Sequence, residues 1–116
     1  MIFLDKNKNI FEIVWYNKFK VIFKENQMIY EFCAENVTLL EKAMQAGARR
    51  IELCDNLAVG GTTPSYGVTK AAVELATDYV TTIMTMIRPR GGDFVYNDLE
   101  IAIMLEDIRL TAQAGS

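Results

Sequence analysis

The chain has 116 residues, 51% of them hydrophobic and 23% charged, which leaves room for one small domain with a modest core. It contains no histidine, and this excludes from the chain every Ser-His-Asp or Cys-His nucleophile pair, every imidazole metal ligand and any histidine-based pH switch. A net charge of -3 argues against a nucleic-acid partner, because binding phosphate requires a clustered surplus of Lys and Arg.

No apolar run approaches the roughly 18 to 20 residues that span a bilayer. The first residues interleave apolar side chains with Lys and Asn and build no signal-peptide core. The chain is therefore expected to be cytoplasmic, with no membrane partner. In a reducing compartment two cysteines make a poor structural disulfide, so Cys33 and Cys54 are expected as free thiols, buried or ligating.

Composition breaks at Met28. Residues 1–27 carry five of the seven lysines and four of the six phenylalanines, with no Arg, Ala or Gly, whereas the rest holds all five arginines and an excess of acid. Glu12 to Phe23 alternates as a hairpin would, with a turn at Asn17-Lys18 pairing Tyr16 with Phe19 and Val14 with Val21. The competing expectation is a disordered leader of 27 residues before an internal start at Met28.

From Met28 onward short strands alternate with helices. Met28 to Ala34 reads as a strand. Val37 to Ala46 reads as a helix, with Thr38 and Glu41 at capping-box spacing and Gly47 as its stop. Arg50 to Cys54 is the next strand, followed by a Gly/Thr/Pro loop. Val68, Ala71, Ala72 and Leu75 recur at helical spacing, and Val80 to Ile87 is a third strand rich in β-branched residues. Asn97, with Asp98 and Glu100 just inside, caps a third helix whose apolar stripe is Ile101, Met104, Leu105 and Ile108, closed by Gly115. Three consecutive βα units predict an α/β fold with a parallel sheet.

Inside this pattern the runs Tyr30-Glu31-Phe32-Cys33 and Ile51-Glu52-Leu53-Cys54 echo each other at a spacing of 21 residues. Residues i and i+2 of a strand share a face, so Glu31 lies with Cys33 and Glu52 with Cys54. A carboxylate packed against helices would be buried without a partner. The apolar set Phe32, Ile51 and Leu53 is therefore expected to face the helices and the Glu/Cys set the opposite side, a polar interior.

The run Glu52-Leu53-Cys54, the loop Gly60-Gly61-Thr62-Thr63-Pro64-Ser65 with Gly67-Val68, and above all Met86-Ile87-Arg88-Pro89-Arg90-Gly91-Gly92-Asp93-Phe94 with Tyr96 resemble the CutC family, named for copper homeostasis. The resemblance covers residues 28–116. It implies a TIM (β/α)8 barrel of which the chain carries only the N-terminal three βα units, an incomplete barrel and a fragment; leader and truncation together suggest a mis-called or interrupted reading frame or an engineered piece. It also implies a cytoplasmic protein, often a homo-oligomer, whose cysteines at the positions of Cys33 and Cys54 bind copper as Cu(I).

The residues themselves point to two site chemistries. Thiolates on adjacent parallel strands, whose backbones lie about 5 Å apart if the strands are in register, can share a soft cation such as Cu(I). Met86 would be an auxiliary ligand if Met84, Met86 and Arg88 point inward; the alternative register turns Thr85 and Ile87 inward and leaves Met86 to packing, and is the favoured one. Arg88, Arg90, Gly91 and Gly92, with Gly60 and Gly61, instead suggest a cradle for a small anion, a phosphate or carboxylate. In that case Glu31, Glu52 or Asp93 would serve as acid or base in an enzyme. The competing expectation is internal neutralisation, Arg88 on the inward glutamates and Arg90 on Asp93. No complete catalytic constellation is present in the sequence, so the reading leans away from an enzyme.

Overall fold

The computed structural model describes residues 11–16, 19–24 and 29–116. Strands β1 (Phe11–Tyr16) and β2 (Phe19–Lys24) pair antiparallel, with Tyr16 opposite Phe19 and Val14 opposite Val21. The expected turn residues Asn17 and Lys18, and the expected start at Met28, lie outside the described residues.

The remainder is an α/β unit. Three parallel strands, β3 (Glu31–Glu35), β4 (Arg50–Cys54) and β5 (Thr82–Thr85), form a sheet in the order β3-β4-β5. They alternate with helices α1 (Leu40–Gln45), α2 (Tyr66–Ala76) and α3 (Asp98–Ala114). Phe32, Ile51 and Ile83 pair at one level of the sheet, and Ala34 and Leu53 at the next on the same face. Against that face pack Leu40 and Met44 of α1 and Ala72 and Ala76 of α2, and these residues make up the core. Alternation then turns Glu31, Cys33, Arg50, Glu52, Thr82 and Met84 to the opposite face.

The strands at both sheet edges are shorter than the sequence suggests, because pairing extends only where the central β4 offers partners. The first helix also differs from expectation. Thr38 and Glu41 form no capping box: the N-cap is Leu39, in left-handed conformation, with no side-chain cap. The reason lies in the end of β3, where the Asn36 N–H still donates to the Cys54 carbonyl at 2.8 Å. The chain must reverse immediately afterwards, through positive φ at both Asn36 and Leu39, so that Leu40 enters the core on the first helical turn.

The α2 stripe is rotated from the expected set. Thr69, Ala72 and Ala76 are buried and Val68 and Leu75 half-buried, whereas Ala71 is exposed. This helix lies between α1 and α3 and is covered on both flanks. At α3 the Asn97/Glu100 capping box and the left-handed Gly115 stand where the sequence places them. Its inward face is nevertheless Met104, Asp107, Leu110, Thr111 and Ala114, while Ile101, Leu105 and Ile108 are 43%, 63% and 50% exposed. The C-terminal end sets this rotation: the Ser116 hydroxyl receives the Thr85 N–H at 3.1 Å and bonds the Ile83 carbonyl at 3.1 Å, pinning the helix end to β5.

Leu53, fully buried on the central strand, belongs to the core cluster with Leu40 and Met44 of α1 and Ala72 and Ala76 of α2. Leu53→Ala is expected to lower the unfolding free energy by about 2 to 5 kcal/mol, measured by urea denaturation.

Candidate metal centre

Cys33 lies in the middle of β3 and Cys54 at the end of β4. The echoed motifs are not level: Cys33 pairs with Glu52 and Cys54 with Glu35, so the thiols sit diagonally, two residues out of step. This corrects the expectation of cysteines side by side. The offset comes from the apolar face, where Phe32 meets Ile51 and Ala34 meets Leu53, and from Tyr30, whose carbonyl accepts the Arg49 and Arg50 N–H groups. The stagger still gathers the reactive atoms, because the Cys33 and Cys54 sulfurs and a Glu52 carboxylate oxygen lie within 4.8 Å of one another.

The three donors differ in access. Cys33 is exposed, Glu52 half-buried and Cys54 fully buried. Cys54 is covered by the loop after β4, which closes on itself through the Asp55 and Thr62 backbones at 2.7 and 2.9 Å. That loop passes directly over the sulfur at Gly61, where an added Cβ would stand 3.2 Å from Sγ and the backbone has a φ of +93°. Only glycine meets both conditions without strain.

Both thiols hold their protons more tightly than a free cysteine does. Removal from water is the first cause for Cys33, and the Glu52 carboxylate adds to it by hydrogen bond and charge; a hydrogen bond with Cys54 acts in the other direction. Cys54 is pushed up to about 12, first by burial and then by the Cys33 sulfur and the Glu52 charge.

Met84 pairs with Glu52 and shares the thiol face, and the Met86 N–H continues the ladder to the Leu53 carbonyl at 2.9 Å. By alternation Met86 follows Met84 to that face. Thr85 turns to the helices, where its hydroxyl meets that of Ser116 at 2.7 Å. Thr85 thus does not turn inward as the favoured register has it.

The glutamates and arginines sort differently from either expectation. Glu31 pairs with Arg50 across the strands. Arg88 is 6% exposed and meets no carboxylate among the described residues. Its Nη1 donates to the carbonyls of Val59 at 2.7 Å and Gly61 at 2.8 Å, its Nη2 donates to that of Gly92 at 2.9 Å, and the guanidinium lies 4.8 Å from the Phe94 ring centroid. A planar fork can satisfy several carbonyls at once, which is why the expected pairing with inward glutamates fails. Arg90 does pair with Asp93, as internal neutralisation requires, but also with Glu100, which sequence reasoning assigned only to the helix cap. Its remaining donors go to the Gly91, Asp93 and Val95 carbonyls. Gly91 serves close packing, since a Cβ there would stand 3.1 Å from Val59. The Arg88 and Arg90 guanidiniums and the Gly60 and Gly61 N–H groups are thus engaged within the loops, save the buried Arg88 Nε, which has no partner.

The thiols give a directional prediction. Because the folded chain holds the Cys54 proton above its ordinary value of 9.0, the stability this confers is complete below pH 9 and is lost as pH rises toward 12. Thiolate absorbance at 240 nm in the chelator-treated chain is expected to develop mainly above pH 9, in two steps. The stability difference between this chain and Cys54→Ala is expected to shrink over the same window.

Among the described residues no helix is long and apolar enough to cross a membrane. The model of the CutC family matches residues 28–116. Over 89 residues the chain is 63% identical to a CutC family protein of Streptococcus pyogenes and 60% identical to one of Enterococcus faecalis, in each case over 77% of this chain and 43% of the relative. The crystal structure of a CutC protein from Streptococcus agalactiae, named for copper homeostasis, superposes with a TM-score of 0.74 at 54% identity, covering 78% of this chain and 43% of that one. The chain thus spans less than half the length of these relatives, and over residues 28–116 it belongs to the CutC family.

Proposed function

We propose that the chain binds Cu(I) through the thiolates of Cys33 and Cys54, in the cytoplasm and in the service of copper homeostasis. The observation that carries this reading is the convergence of two sulfurs from adjacent strands on one face of the sheet. Thiolates are the donors a soft monovalent ion prefers, and a chain without histidine offers that ion no imidazole. The name of the Streptococcus agalactiae relative, a copper homeostasis protein, points the same way. Met86 on the same face supplies a thioether as auxiliary donor.

The same proposal takes the three strands as part of a TIM-type barrel. Helices cover one face, the other carries the site, and the two-residue offset between the echoed motifs is the kind of stagger that tilted barrel strands require. Cys54, at the C-terminal end of its strand, lies toward the end where such barrels place their sites.

A Cu(I) titration of the full chain against a competing chelator, with circular dichroism on the same samples, tests the reading. One tight equivalent on a folded chain, lost in the Cys33→Ser/Cys54→Ser double variant, is expected. Retention of that equivalent by a folded double variant would remove the thiolate site.

A further inference from the structure

We propose that Glu52 is a third ligand of the thiol site and that the resulting set of two sulfurs and one oxygen takes a borderline divalent ion of the zinc class. The inference rests on the thiolate reading above and extends it in donor number and metal charge.

The first argument is position. Glu52 lies level with Cys33 across the β3-β4 pairing and precedes Cys54 by two residues on the same strand and face. Its carboxylate oxygen stands within the same 4.8 Å as the two sulfurs. Backbone pairing therefore sets this relation, with no loop involved.

The second argument is charge. A half-buried carboxylate ordinarily acquires a cation or a set of donors. The arginines that the fold brings near this region are committed elsewhere: Arg50 pairs with Glu31, and the Arg88 fork bonds the Val59, Gly61 and Gly92 carbonyls. Among the described residues Glu52 takes part in no ion pair; its side-chain partner is the Cys33 thiol, whose proton a bound cation would replace. Two coordinating thiolates and this carboxylate carry three negative charges. A monovalent ion leaves two of them uncompensated in a partly dehydrated site, whereas a divalent ion leaves one.

The third argument is donor type. A carboxylate oxygen is a hard donor that adds little to Cu(I), but it combines with thiolates around Zn²⁺, for which Cys and Asp/Glu ligands are both usual. Three protein donors would leave one position of a tetrahedral ion to solvent or a further ligand, the pattern of reactive rather than purely structural zinc sites.

The test compares Zn²⁺ and Cu(I) affinities, each by chelator competition, for the full chain, Glu52→Gln and the Cys33→Ser/Cys54→Ser double variant. Circular dichroism monitors folding throughout. One Zn²⁺ per chain is expected, with affinity reduced about tenfold or more in Glu52→Gln, while Cu(I) affinity changes less than about threefold. Should Glu52→Gln not fold, Glu52→Asp, which keeps the charge and shortens the reach, is expected to weaken Zn²⁺ selectively. Unchanged Zn²⁺ affinity in the folded Glu52 variant, or equal loss of both metals, would overturn the role of Glu52. Cu(I) binding without Zn²⁺ binding would overturn this inference alone. Retention of Cu(I) by the double variant would instead overturn the thiolate reading beneath it.

Discussion

Everything at the candidate site depends on the way three parallel strands divide their side chains. Phe32, Ala34, Ile51, Leu53 and Ile83 face the helices, and burying them fixes both the register and the face on which every other residue of the strands must lie. A slip of one residue between β3 and β4 would exchange the faces and drive carboxylates and thiols into the helix layer. The apolar side of the sheet is therefore the cause of the site, although no apolar core residue belongs to it.

A second constraint organises the loops beyond the strands. Arg88 is buried beside backbone carbonyls, not acids, and in satisfying the carbonyls of Val59, Gly61 and Gly92 it ties the loop after β4 to the loop after β5. Thr63 strengthens the tie, accepting the Arg88 N–H with its hydroxyl at 2.8 Å and donating its own N–H to the Arg88 carbonyl at 2.9 Å. Within that clamp Gly61 and Gly92 offer their carbonyls to Arg88, and Gly91 packs closely against Val59. Arg90, shared between Asp93 and Glu100, holds the start of α3 in the same manner.

The order of strands and helices was legible because alternation and helical spacing are local signals, as were the Asn97 cap and the Gly115 stop. The assignment of Glu31, Cys33, Glu52 and Cys54 to one face followed from a period of two and from the cost of burying a carboxylate. Three things were not legible, each because it depends on contacts far apart in sequence. The two-residue offset of the cysteines is set by pairing across strands. The rotation of α3 is set by Ser116 against β5, which leaves Ile101 and Leu105 outward despite their apparent stripe. The partners of Arg88 are main-chain oxygens, which no side-chain pattern announces.

The loop that lies over Cys54 at Gly61 has a kinetic consequence. With one sulfur open to solvent and the other roofed by backbone, a solute approaching the site meets Cys33 first and reaches Cys54 only after it. A competing thiol arriving from solvent would displace the accessible Cys33 contact first and the roofed Cys54 contact last, unless the roof lifts. Residence at this site would then be governed by how firmly Arg88 holds a stretch of main chain, at a distance from the sulfurs themselves.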